Sequence, residues 1–120
     1  IDETIKSLSY LQGLSERARI IITVDGVYKQ DRGPDSPKNR ILAQYIEALR
    51  NKYDKYHITI LCEKAKVMLV GNVRKAMESV KTEFVYLIQH DMPFIAPVDH
   101  TALIRTFQGY PESVRLVRFS

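Results

Sequence analysis

Asp25 ends the apolar run IIITV and Asp91 ends FVYLIQH, so each carboxylate follows a stretch that reads as a strand. In a parallel arrangement both acids project at the same edge of one sheet. Carboxylates at such an edge suit a hard divalent cation, because magnesium and manganese take oxygen ligands and bridge one or two carboxylates to substrate phosphates. His90 precedes Asp91, and a neutral imidazole can add a ligand or donate a hydrogen bond to a phosphate. The same residues have a plainer reading. An aspartate after a strand is also a turn former or a helix cap, and a histidine beside it can simply bond locally.

An alternation of helix and strand has to position these groups. Ile5, Leu8, Leu11 and Leu14 recur at near-helical spacing over residues 4–14, with Gly13 close to the fraying end. ARIIITVDG, residues 18–26, is continuous, β-branched and closed by Asp-Gly, as a strand buried on both faces would be. The polar VYKQDRGPDSP is a loop. Ser36-Pro37 supplies an N-cap and first helical position for a helix over residues 38–53, with Ile41, Leu42, Tyr45, Ile46 and Leu49 in one stripe. HITILC reads as the next strand. A Gly71-Asn72 turn then leads into a helix carrying Val73, Ala76, Met77 and Val80 on one side. FVYLI is a third strand, Pro97-Val98-Asp99 opens a helix with Ala102, Leu103 and Phe107 inward, and VRLVRF closes as a fourth strand. Such alternation implies a layered α/β domain with a mostly parallel sheet, whose ligands bind beyond the carboxyl ends of the strands.

Composition narrows the class. At 120 residues and 45% hydrophobic, the chain suits one soluble domain with one core over residues 1–120. Its apolar runs fall far short of the roughly 18 residues that a membrane span requires. Cys62 is the single cysteine, a small core residue in ITILC, and a reducing compartment, the cytoplasm or the cytoplasmic face of a membrane, is the default. The net charge of +4 is spread among interleaved acids, which favours a phosphate-bearing ligand over nucleic acid.

GNVRKAMESVKTEFVYLIQHDMPF, residues 71–94, resembles the segment of family-2-type glycosyltransferases that runs from a glycine turn through a helix to a strand ending in the DxD motif. IIITVDG resembles the second strand of the same nucleotide-diphospho-sugar transferase fold, called GT-A, and TIKSLSYLQGL resembles its first helix. The resemblance implies a three-layer α/β/α, Rossmann-like arrangement, and transfer of a sugar from a nucleotide-diphosphate donor to a glycan, lipid or protein acceptor. It further implies Mn2+ or Mg2+ held at the motif. Asp91 matches the last acid of DxD, the one that binds a cation clamped to the donor diphosphate. The first acid falls on Gln89, a neutral amide, and His90 takes the variable middle position. Asp25 matches an acid near the nucleoside, although Gly26-Val27 departs from the usual continuation. Arg74 and Lys75, at the start of the helix before the Asp91 strand, correspond to residues facing the diphosphate. Solvated helix charge is their plainer reading.

In that fold a first strand precedes the first helix and the catalytic base lies well beyond DxD, so the resemblance implies a partial domain. Two other classes stay open. A non-catalytic α/β binding module agrees with Gln89 in place of an acid. A metal-dependent phosphohydrolase would pair His90-Asp91 with Asp99-His100, although such ligands usually come from helices. A dinucleotide domain is excluded because no GxGxxG turn follows any strand.

Overall fold

The computed structural model describes residues 1–53 and 57–119. It is a mixed α/β chain of four helices and four strands among the described residues: α1 (Asp2–Ser7), β1 (Leu11–Gln12), β2 (Ile20–Val24), α2 (Pro37–Tyr53), β3 (Ile58–Cys62), α3 (Met68–Glu78), β4 (Val98–Asp99) and α4 (His100–Gly109). Its contacts fall into two compact units, one made of Ile1–Glu16 with Thr82–Ser120 and the other of Arg17–Lys81. Among the described residues no helix is long and apolar enough to cross a membrane.

The central unit is built on β2 and β3, which pair in parallel from Ile20↔Ile58 to Val24↔Cys62. Helix α2 makes the crossover, as it must, since parallel neighbours cannot be joined by a tight turn. Pro37 opens α2, and Arg50 and Lys52 lie in its last turn, where the helix dipole favours positive charge. Leu49 and Tyr53 are buried, whereas Ile41 is 64% exposed, so the inward stripe runs nearer the helix end than its spacing predicts. Neither strand is buried on both faces; of the ten paired residues only Val24 is buried and the rest are half-buried.

Helix α3 starts at Met68 rather than after a Gly71-Asn72 turn, so Gly71 and Asn72 lie inside it and Arg74 and Lys75 in its second half. The earlier start has a partner-derived cause. The backbone N–H groups of Val67 and Met68 donate to the Asp25 carboxylate, which supplies acceptors that the local sequence does not. Met68 adopts a left-handed φ of 62°, a conformation that costs a side-chain-bearing residue about 1–2 kcal/mol. Met77 is exposed, whereas Asn72 is buried.

In the other unit, β1 and β4 pair in parallel through Leu11↔Val98 and Gln12↔Asp99. The helix over residues 4–14 therefore stops short: α1 ends at Ser7, a 3-10 turn covers Leu8–Tyr10, and Leu11 is drawn into the sheet, 3% exposed. Gly13 follows with φ of 90°, where only glycine is unstrained. FVYLI is not a sheet strand, because none of the described residues pairs with it. Phe84, Tyr86 and Ile88 are half-buried while Val85 and Leu87 are exposed, and the inward rings face aromatic partners instead of a neighbouring strand. Phe84 lies 5.4 Å from Phe107, and Tyr86 lies 5.8 Å from His100. VRLVRF likewise forms no strand; its Phe119 stacks on Tyr86 at 6.3 Å and meets Phe94 edge-on at 5.6 Å. Asp99 caps α4 as expected, its Oδ1 accepting from the Ala102 N–H at 2.9 Å, although Ala102 itself is exposed. The single mostly parallel sheet is thus two separate parallel pairs, β1–β4 and β2–β3.

Candidate functional site

Gln89, His90 and Asp91 lie on a turn closed by the Met92 N–H donating to the Gln89 carbonyl at 3.1 Å. All three are exposed. Among the described residues the Asp91 carboxylate has no ion-pair or hydrogen-bond partner, and neither has the His90 ring. The backbone of the turn is held firmly. The Thr4 hydroxyl donates to the His90 carbonyl, and the Ser7 hydroxyl accepts from the Phe94 N–H at 2.9 Å while donating to the Thr4 carbonyl at 2.7 Å. Thr4 and Ser7 are 8% and 6% exposed, so these bonds are shielded from water. Sequence reasoning missed both residues. Two small hydroxyl residues at i and i+3 share a helix face, but nothing in that spacing marks them as buried anchors rather than solvated groups.

Asp25 does different work. Its Oδ1 accepts from the Gly26 N–H at 2.9 Å and the Val67 N–H at 2.8 Å, and its Oδ2 accepts from the Met68 N–H at 3.1 Å. Lys66 Nζ stands 3.9 Å from Oδ2 and 4.9 Å from the Tyr28 ring centroid. A carboxylate with both oxygens engaged by the start of α3 fits the helix-cap reading, although the helix is one that begins more than 40 residues later. Gly26 is buried against the chain that follows β3: a Cβ there would stand 2.5 Å from the Ala65 carbonyl and 2.6 Å from the Glu63 oxygen.

Arg74 pairs with Glu78 at 3.6 Å on the exposed face of α3, and Lys75 pairs with Glu63 at 3.1 Å. The two bases therefore point to different partners. Asp25, Gly26, Arg74 and Lys75 belong to the central unit, and Gln89, His90 and Asp91 to the other. Asp99 and His100 are both engaged, the first in the α4 cap and the second through Nδ1 with the Tyr86 hydroxyl at 3.0 Å. Burial pushes the Tyr86 hydroxyl above its ordinary pKa. Among the described residues no three His, Cys, Asp or Glu side chains are grouped to hold a metal.

No family model, curated protein or solved structure matches the chain.

Proposed function

We propose that the chain is the donor-binding part of a glycosyltransferase that takes a nucleotide-diphosphate sugar and passes the sugar to a glycan, lipid or protein acceptor. The carrying observation is the Gln89–Met92 turn, which presents the Asp91 carboxylate and the His90 ring to solvent on a backbone that α1 holds at the His90 carbonyl and at the Phe94 N–H just beyond it. Such fixing is what a binding group needs, since a preorganised ligand loses little freedom on binding. The donor set of one carboxylate, one imidazole and the Gln89 amide is too sparse for a cation cage. It fits Mn2+ or Mg2+, which keep waters and complete their shell with substrate phosphate. The ion would offset charge on the departing nucleotide. With both oxygens engaged by α3, Asp25 acts in this reading by fixing the carboxyl end of β2, beside Gly26. The three-layer GT-A-like arrangement and a cytoplasmic location belong to the same proposal, supported by the β2–α2–β3 crossover and by the free thiol of Cys62.

The test is calorimetric titration with UDP and GDP, each with and without manganese. Saturable, metal-dependent binding that disappears in Asp91→Ala, with the circular dichroism spectrum unchanged, is the expected result. Binding that survives Asp91→Ala unchanged overturns the metal role. A second reading, a non-catalytic α/β binding module, is favoured by the engagement of Asp25 in the α3 cap, and failure of the wild-type chain to bind either nucleotide supports it.

A further inference from the structure

We propose that the outward side of α3 docks on an anionic lipid surface. At about 3.6 residues per turn, Leu69, Val70, Val73 and Met77 share one side of this helix. Val70 is 81% exposed, Leu69 and Met77 are exposed, and Val73 is half-buried; Met68, where the helix starts, is exposed as well. The inward side carries Asn72 instead. Its Nδ2 donates to the Met68 carbonyl at 3.0 Å, and its Oδ1 is buried with no hydrogen-bond partner among the described residues. An amphipathic helix ordinarily sits the other way round, apolar side in. Departures from that pattern concentrate at functional surfaces, and an exposed apolar patch rimmed by charge is a mark of one.

The orientation of the helix is fixed. The Asp25 carboxylate grips the N–H groups of Val67 and Met68, and Lys75 pairs with Glu63 at 3.1 Å. Rolling the apolar side inward would break that ion pair and pull the first turn off its cap.

Charge selects the occupant. Residues 63–81 hold five bases against two acids, a net +3 within a chain whose total is +4. Lys64 and Lys81 stand in the sequence before and after α3, both exposed and neither with an acidic partner among the described residues. Arg74 lies on the flank of the apolar side, in an exposed pair with Glu78. A second copy fits this face poorly. An antiparallel two-fold pairing about Val73 would set the two Arg74 groups on the same flank, about 3 Å apart along the axis at a rise of about 1.5 Å per residue. An anionic leaflet meets all of these bases at once while the apolar side chains enter the headgroup boundary, and each base near the surface adds about fivefold to affinity.

The experiment is cosedimentation of the full chain with vesicles of phosphatidylcholine alone and of phosphatidylcholine mixed with phosphatidylserine. Expected is binding to the anionic vesicles that exceeds binding to the neutral ones by about tenfold or more and falls with added salt. Leu69→Gln with Val70→Gln should weaken it about tenfold, and Lys64→Gln with Lys81→Gln about twentyfold. All four positions are exposed, so the circular dichroism spectrum should not change. The chain contains no tryptophan, so Val70→Trp supplies a single fluorophore whose emission should move to the blue on anionic vesicles. Failure of the folded wild-type chain to bind, equal binding to neutral vesicles, or binding indifferent to Leu69→Gln with Val70→Gln overturns the proposal. So does a dimer in sedimentation velocity that Val70→Gln disperses, which would assign the face to a second copy.

Discussion

The Ser7 hydroxyl accepts the Phe94 N–H at 2.9 Å across 87 residues of sequence, from a position inside a six-residue helix. So short a helix has little stability of its own, and the bonds it makes to the turn after Ile88 hold each to the other.

Ser7→Ala should leave the Phe94 amide without its acceptor in a shielded place, a loss of about 1–3 kcal/mol. Urea unfolding reads the global cost. Hydrogen exchange at Phe94 reads the local one, and it should quicken by about tenfold or more. Thr4→Val, which keeps the shape and removes the donor to the His90 carbonyl, should loosen the same turn. Unaltered exchange in both variants would mean that the turn is held by its own closure.

Removing the Asp25 carboxylate should unravel the first turn of α3. Asp25→Ala loses charge-assisted bonds to Val67 and Met68, each worth about 1.5–3 kcal/mol. Asp25→Asn retains one acceptor and should fall between the two. Helical circular dichroism and the thermal midpoint should drop in the order wild type, Asn, Ala. If Asp25 acts only on a ligand, neither quantity will move.

Gly26→Ala should be among the most damaging small substitutions in the chain. The added methyl would press on backbone atoms of Glu63 and Ala65, which cannot swing aside as a flexible side-chain end does. A cost of about 1–3 kcal/mol follows, visible as a lowered urea midpoint at unchanged slope. Gly33→Ala, where the methyl meets only open space, is the control and should change little.

Cys62 should titrate above an ordinary thiol. Burial pushes its pKa up, Arg50 opposes that rise, and Glu63 adds to it. A thiol with a raised folded pKa contributes stability that is complete below the unfolded value, about 8.5, and is lost as pH climbs through the folded one. Unfolding midpoints should therefore decline above about pH 8.5, and Cys62→Ala should remove that part of the decline. The iodoacetamide rate profile of the native chain should be displaced to higher pH than that of the chain in urea.

Legibility from sequence followed the range of the forces. The β-branched runs at 20–24 and 58–62, the Pro37 helix start and the Asp99 cap rest on local pattern, and all stand where the sequence placed them. The placement of α3 was hidden because its cap is borrowed from Asp25, at the end of a distant strand. FVYLI has the composition of a strand, but a strand also needs a neighbour, and its rings took aromatic partners instead. For the candidate site, exposure of Gln89, His90 and Asp91 follows from their polarity. The anchoring of their turn by Thr4 and Ser7 does not, because small hydroxyl residues carry no periodic signal that separates a buried bond from a solvated one.

The division of the chain has a consequence for how it is born. The central unit is one unbroken stretch, Arg17–Lys81, while the other draws Ile1–Glu16 from one end and Thr82–Ser120 from the other. On a ribosome the central stretch can close its parallel pair as soon as β3 has emerged. β1 cannot complete its pairing until β4 follows, 87 positions after it in the sequence. Loop closure over that length is the slower event, but the folded central unit shortens the effective loop by holding its own ends in place. The order of synthesis thus favours an inside-out assembly in which the QHD turn is among the last parts to take shape.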